Sequence, residues 1–224
     1  MSAKKISVII VDDHKIFRNG LLLLLNNFNF VNVVGQASNG EEFLEMLETK
    51  IPDIVLMDIN MPRMNGIEAT KIALEKYPEL KIIALTTFLE DDYIEQMFEA
   101  GVEGYMLKRS DIDDFEKAII RVHEGGNYFS EEIIKVITRN LNKNKNRRVR
   151  DLKLPQLTSR EIEILDLVCE GLNNEQIAEL LFLSPKTIEK HKSNLFQKTQ
   201  TFNTVNLVIY AFKNQLVSFS GSSE

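Results

Sequence analysis

Residues 54–66 read IVLMDINMPRMNG, an unbroken apolar run from Ile54 to Met57 with Asp58 directly behind it. From Gly66 to Tyr77 apolar residues recur at helical spacing, so the stretch is a strand and a helix with a carboxylate where the strand ends. The same alternation extends in both directions. Short apolar or β-branched runs lie at Ile6–Val11, Val31–Gly35, Ile82–Leu85 and Gly104–Leu107. Helical spacing covers Ile16–Asn27, Glu41–Lys50, Asp91–Ala100 and Ile112–Glu124, and Asn39 ahead of Glu41 and Glu42 reads as an N-cap. Five strands alternating with five helices predict an α/β fold, a doubly wound five-stranded parallel sheet covered on both faces. Nearly continuous apolar strands are what a doubly covered sheet requires. In such a sheet the ligand site lies beyond the carboxyl ends of the strands, at the point where the strand order reverses.

After Gly125-Gly126 the pattern changes. Ser130-Glu131-Glu132 opens a helical stretch with Ile133, Ile134, Ile137 and Leu141, which decays into NKNKNRRVRD, residues 142–151. That run is polar, basic and without period, and reads as a solvated tether. From Leu157 onward the chain is all helix, over Thr158–Glu170, Asn173–Leu181, Ser184–Thr199 and Thr204–Leu216. Thr158 with Glu161 forms a capping box, Gly171 ends the first helix, and Ser184-Pro185 supplies an N-cap with proline at the first helical position. The expected organisation is a first domain over 1–126, a linker with a helical start over 127–154, an all-α four-helix domain over 155–218 and a frayed tail over 219–224.

The composition is that of a soluble globular chain, with 224 residues and a net charge of −6. Residues 1–130 hold 13 Lys/Arg against 22 Asp/Glu, while residues 131–224 hold 14 against 11, so an acidic half meets a mildly basic one. Different partners are expected for each. The single cysteine, Cys169, excludes an intramolecular disulfide and sits in an apolar helical pattern, which suits a buried thiol in a reducing cytoplasm. The apolar run at the N-terminus is too short for a signal peptide, and Leu21–Leu25 is too short to cross a bilayer, so no membrane is expected as a partner. His14, His123 and His191 lie in separate elements with no carboxylate at ligand spacing, and a transition-metal site is not expected.

Chemistry is expected where the strands end. Asp12 and Asp13 close the first strand, Asp58 follows the third, Thr86 the fourth and Lys108 the fifth, and in a parallel sheet these ends share one edge. Three bare anions there would repel one another, and a hard divalent cation such as Mg²⁺ resolves the repulsion. The cation neutralises charge on an incoming phosphoryl group while Lys108 pairs with one of its oxygens, and a carboxylate nucleophile so placed can form an aspartyl-phosphate.

These residues, in VDDH (Val11–His14), LMDINMPRMNG (Leu56–Gly66), ALTT (Ala84–Thr87) and GYMLK (Gly104–Lys108), resemble the flavodoxin-like receiver domain of two-component response regulators. The resemblance runs almost without gaps over residues 5–124. It implies that Asp58 is the phosphoacceptor, and that Asp12, Asp13, Asp58 and the backbone carbonyl of Asn60 hold Mg²⁺. Thr86 would bind the phosphoryl group, Thr87 would be small enough to admit it, and Tyr105 would be the aromatic that turns inward. It implies a sensor histidine kinase as phosphoryl donor. Asn60 and Phe88 would flank the phosphoryl group, with Phe88 either obstructing an attacking water or simply packing on the next helix.

In the second half, Asn173–Leu181 and Ser184–Thr199 have the lengths and polarity of a helix-turn-helix pair. The longer run LTSREIEILDLVCEGLNNEQIAELLFLSPKTIEKHKSNLFQKT, residues 157–199, resembles the LuxR/NarL-type DNA-binding domain. That resemblance implies double-stranded promoter DNA as a partner. Lys186, Lys190 and Lys192 would bind phosphates or bases, Thr187 and Asn173 the DNA backbone, and Lys198 lies on the same outer face. Glu189 either accepts from a cytosine amino group or pairs along the helix with Lys192 or Lys186, the helix pair being the simpler reading. Where the family continues Leu-Gly after Lys198, this chain has Thr199-Gln200, which leaves the turn into the last helix open. That last helix also suits a dimer surface or plain core packing.

The combined expectation is a transcription factor whose homodimerisation and DNA binding respond to phosphorylation of Asp58, through released occlusion of the recognition helix or through receiver dimerisation. An aspartate-nucleophile phosphohydrolase would need a second acid two residues after the nucleophile, and Asn60 cannot transfer protons, so no enzyme acting on an outside substrate is expected. A helical half that binds protein instead of DNA is the other alternative; salt-dependent binding to promoter fragments separates the two.

Overall fold

The computed structural model describes residues 4–87, 89, 91–136, 156–201, 204–214 and 216–217. The first half runs β1 (Ile6–Val11), α1 (Lys15–Asn26), β2 (Val31–Ala37), α2 (Gly40–Thr49), β3 (Ile54–Asp58), α3 (Gly66–Lys76), β4 (Lys81–Thr86), α4 (Asp91–Ala100), β5 (Gly104–Leu107), α5 (Ile112–His123) and β6 (Tyr128–Phe129). A helix over 131–136, α6, follows. The second half is α7 (Ser159–Cys169), α8 (Asn174–Leu180), α9 (Pro185–Thr199) and α10 (Thr204–Lys213). Among the described residues no helix is long and apolar enough to cross a membrane.

The strands pair in parallel in the order β2-β1-β3-β4-β5-β6. Six strands stand where five were expected. The sixth pairs only Tyr128 and Phe129 with Gly104 and Tyr105, inside the stretch expected as linker. A strand of two residues has no period to detect. Phe88 and residues 137–155, which include the basic run, lie outside the described residues.

Side chains alternate across the strands as period two demands. Ile9, Val11, Val55, Met57, Ile82, Ala84 and Tyr105 face α2, α3 and α4, where Phe43, Leu47, Ile67, Ala73, Met97 and Phe98 meet them. Val8, Ile10, Ile54, Leu56, Ile83, Leu85 and Met106 face α1 and α5, against Leu21, Leu25, Phe115, Ile119 and Val122. Each such aliphatic side chain contributes about 1.5–3 kcal/mol by leaving water, and the sheet is thereby a rigid platform for the strand ends.

A third cluster centres on Ile164, Leu165, Val168, Ile177, Ile188, Leu195, Leu207, Val208 and Ala211 in the helical half. The expected caps form: Thr158 and Glu161 make a reciprocal capping box, and Ser184 caps α9 ahead of Pro185. The open question at Thr199-Gln200 has a structural answer. Gln200 takes the left-handed conformation at φ 56, the place where the family's glycine would stand, and the Thr199 hydroxyl donates to the Leu195 carbonyl at 2.7 Å. The helix therefore ends without glycine, and α10 keeps its apolar stripe.

Candidate functional site

The strand order reverses between β1 and β3, and the acidic residues stand at that point. Asp12 follows β1 and is fully buried, Asp58 ends β3 and is buried, and Asp13 is half-buried. Lys108, just past β5, bridges the two buried carboxylates, with Nζ 2.7 Å from Asp12 Oδ2 and 2.7 Å from Asp58 Oδ2. Its position is fixed by its own backbone, whose N–H donates to the Thr86 carbonyl at 2.8 Å. Burial is the main influence on Asp58 and pushes its carboxyl up to about 6; Lys108 opposes this, while Asp12 and Asp13 add to it.

The loop after β3 folds back on the backbone of the same residue. A Cβ on Gly66 would stand 2.0 Å from the Asp58 carbonyl oxygen, and the Gly66 N–H donates to the Ile59 carbonyl at 2.8 Å. Gly66→Ala must therefore push backbone off backbone. We expect a loss of about 2–3 kcal/mol of stability, read by urea unfolding; an unchanged midpoint contradicts the close return.

The oxygens of Asp12, Asp13 and Asp58 and a nitrogen of His14 lie within 4.8 Å of one another, a group that can hold a metal ion. His14 corrects the sequence reading, which gave it no carboxylate at ligand spacing. Its Nδ1 stands 2.9 Å from Asp13 Oδ1, and its backbone N–H donates to Asp12 Oδ1 at 2.8 Å. Adjacency in sequence conceals this pairing, because the direction of the side chain is set by the turn into α1. Two further neighbours also gave no signal in sequence. Arg18 donates through Nη1 to the Asp12 carbonyl, and the Phe17 ring centroid lies 5.0 Å from Lys108 Nζ. Both leave the first turns of α1 towards the strand ends.

Thr86 is buried at the end of β4, whereas Thr87 and Asn60 are exposed beside the cluster. Tyr105 is fully buried in this structure, its ring centroid 5.5 Å from that of Phe98. Phe98 in turn meets Phe129 edge-on at 5.2 Å, and the Ser130 N–H donates to the Tyr105 carbonyl at 3.1 Å. Phe129 also packs against the helical cluster, so an aromatic row leads from β5 to the second half.

The helical residues divide. Lys186, Glu189 and Lys190 are exposed on α9, and the Thr187 N–H donates to the capping Ser184 hydroxyl at 3.1 Å. Lys192 is half-buried and donates to Asn174 Oδ1 at 3.0 Å; burial lowers its pKa. Lys198 pairs with the buried Glu161 at 2.7 Å. Both lysines thus bond to groups of α8 and α7, and Lys192 goes to Asn174, whereas the helix pair expected of Glu189 was with Lys192 or Lys186.

Asn173 is only 7% exposed. It caps α8, and its Nδ2 donates to the Glu124 carbonyl at the end of α5, 3.0 Å away. Around it a seam joins the two halves. Gln176 Nε2 donates to Glu124 Oε2 at 3.3 Å and Arg121 Nη1 to the Glu170 carbonyl at 3.2 Å. Gly126 lies so close that a Cβ there would stand 2.4 Å from the Gly171 oxygen. Ile209 of α10 packs against the cluster on the α4 side of the sheet.

Residues 8–120 match the family model of the response regulator receiver domain, and residues 155–211 that of bacterial regulatory proteins of the luxR family. The transcriptional regulatory protein DegU of Brevibacillus brevis is 34% identical over 96% of each chain. LnrK of Bacillus subtilis is 36% identical over 93% of this chain and 97% of its own. Among solved structures, the response regulator ChrA of a heme-sensing two-component system is 30% identical with a TM-score of 0.54, covering 95% of this chain and 99% of its own. RcsB, solved as two dimers bound to two parallel DNAs, is 26% identical with a TM-score of 0.57, covering 94% and 99%.

Proposed function

Because this chain belongs to the two-component response regulators that join a receiver domain to a LuxR-type DNA-binding domain, we propose that Asp58 is its phosphoacceptor and controls how the helical half holds promoter DNA. The protein is a response regulator and a transcription factor. The observation that carries the site assignment is Lys108 bridging Asp12 and Asp58 at the reversal of the sheet. In this reading residues 1–126 are the receiver, 155–218 the DNA-binding domain and 127–154 the connection.

A carboxylate oxygen of Asp58 attacks the phosphorus of a phosphohistidine on a sensor histidine kinase. The P–N bond breaks, and the imidazole keeps the electron pair and takes a proton from solvent. Lys108 and the Thr86 hydroxyl donate to the phosphoryl oxygens, and Thr87 is small enough to admit them. The donor set is hard and oxygen-rich, which fits Mg²⁺ held by Asp12, Asp13, Asp58 and the Asn60 carbonyl, and the ion would supply charge neutralisation. Asn60 has no proton to exchange, so the chemistry ends on the chain's own Asp58 and no outside substrate is turned over. On the helical side Lys186 and Lys190 reach phosphates or base edges, Glu189 faces the same groove, and Thr187 and Asn173 meet the DNA backbone. Lys192 and Lys198 hold α9 against α8 and α7. Phosphorylation favours a homodimer, the state in which RcsB was solved on DNA.

Acetyl phosphate with Mg²⁺ tests the assignment. The wild type gains one hydroxylamine-labile phosphoryl group by mass, Asp58→Ala gains none, and Lys108→Ala slows uptake about 10- to 100-fold. Affinity for promoter fragments then rises with phosphorylation and falls with salt. A label retained by Asp58→Ala rejects the reading.

A further inference from the structure

The start of α1 has no side-chain cap, since the His14 side chain makes no capping hydrogen bond. It is tied instead to the end of β1. The His14 N–H donates to Asp12 Oδ1 at 2.8 Å, and Arg18 Nη1 donates to the Asp12 carbonyl. Between these two attachments stands Phe17, half-buried against the core on the α1 side of the sheet. Its ring does more than fill that core, because Lys108 Nζ lies over it, 5.0 Å from the centroid. An ammonium within about 6 Å of an aromatic face is drawn to the negative charge of that face, the more so where water is kept away. Here water is kept away, for only 9% of the Lys108 side chain is exposed.

The other contacts of the ammonium are of a different kind. Asp12 and Asp58 each hold Nζ at 2.7 Å, and both carboxylates change partners once the chemistry begins. Asp58 becomes an acyl phosphate and gives up its full charge, and Asp12 is among the oxygens that fit Mg²⁺. The ammonium must then turn to a phosphoryl oxygen. The Phe17 ring asks nothing of either carboxylate, and its helix is fastened to the strand end. A contact that counts for little while two carboxylates hold the lysine counts for more as they let go. That difference between resting site and transition state is what raises a rate.

We propose that Phe17 is a positioning residue for phosphoryl transfer, its ring holding the Lys108 ammonium beside Asp58 while the charges around it are redistributed. The proposal rests on the reading of Asp58 as the phosphoacceptor, and Phe17 acts through Lys108.

The test uses the full-length protein with Mg²⁺ and acetyl phosphate, a donor that needs no docking surface. Phe17→Leu and Phe17→Met keep an apolar side chain without a ring, while Phe17→Tyr keeps the ring. The first two slow phosphoryl uptake about five- to tenfold, and the tyrosine variant stays within about twofold of wild type. In a Lys108→Ala background Phe17→Leu costs nothing further, since the group it positions is gone. A second readout needs neither Mg²⁺ nor turnover. In chelator, the Lys108 ε-methylene protons, identified as the lysine signal that Lys108→Ala removes, resonate upfield of the other lysines under the ring current. The displacement persists in Phe17→Tyr and vanishes in Phe17→Leu and Phe17→Met. Ringless variants that take up the phosphoryl group at the wild-type rate overturn the proposal, as does a tyrosine variant as slow as they are. An equal loss with Lys108 absent makes Phe17 a packing residue of α1 and overturns it too. So does a Lys108 signal in the wild type with no upfield displacement, a result that no misfolded variant can imitate. A wild type that takes up no phosphoryl group removes the Asp58 reading first, and this role with it.

Discussion

Asp58→Asn is expected to melt at a higher temperature than wild type at pH 7.5 in the presence of a chelator, while taking up no phosphoryl group. The reason lies in where the carboxylate sits. Burial, with Asp12 and Asp13 adding to it, lifts the Asp58 carboxyl from 3.8 to about 6 against the pull of Lys108. The folded chain therefore binds that proton more tightly than the unfolded chain does. The stabilisation from the protonated form is fully present below about pH 4 and is lost as pH rises through about 6. Asparagine mimics the protonated form at every pH. The two proteins should match below about pH 4, diverge between pH 4 and 6, and hold a gap of about 2–3 kcal/mol above that, on the order of 5–10 °C in Tm for a chain of this size. Adding Mg²⁺ should narrow the gap by stabilising only the wild type, through preferential binding to the folded state. An Asp58→Asn protein less stable than wild type throughout pH 5–8 would contradict this account of the buried cluster. On the proposed role of Asp58, the charge strain and the phosphoryl chemistry would have one origin, a carboxylate held away from water beside a lysine.

What could be read from sequence depended on whether a feature leaves a period or a residue type behind. The runs at Ile6–Val11 and Ile54–Met57 read as strands because they are too short for a buried helix and alternate with stretches of helical spacing. Asp12, Asp58 and Lys108 were legible as a group because parallel strands align their ends. β6 was not, since Tyr128 and Phe129 have no neighbours to share a pattern with. His14 was missed because its nearness to Asp13 depends on a turn and not on spacing. Lys192 and Lys198 lie on the outer arc of a helical wheel, but that wheel knows nothing of Asn174 and Glu161, to which they bond. The seam was the least legible of all. Its contacts run largely through backbone atoms, the Glu124 and Glu170 carbonyls and the Gly171 oxygen, and backbone is the same at every residue.

That seam sets the second large expected effect: Gly126→Ala should bind promoter DNA more tightly than wild type before any phosphorylation. The added methyl would stand 2.4 Å from the Gly171 oxygen, so the two halves must part at this point. Gly126 is the better choice of the two glycines, because Gly171 has φ +86 and would be strained by any side chain even if the seam were already open. Parting withdraws the Glu124 carbonyl from Asn173 and Glu124 Oε2 from Gln176. Asn173 is then released at the N-terminus of α8, where a DNA phosphate would be held by the same amide. On the proposed DNA-binding role of Asn173, the receiver and DNA would compete for one group, and any change that weakens the first contact would strengthen the second. Coupling of this kind is typically about 1–3 kcal/mol, so a gain on the order of tenfold is expected, with the phosphorylated wild type approaching the variant. The aromatic row joins the strand ends to the helical half. β4 and β5 pair Thr86 with Leu107, Tyr105 pairs with Phe129, and Phe129 reaches the helical core. Phosphoryl uptake by Gly126→Ala at the wild-type rate would show that the receiver is intact. An unphosphorylated variant that binds DNA no better than wild type would mean that the seam does not restrain the helical half, leaving receiver dimerisation as the route of control.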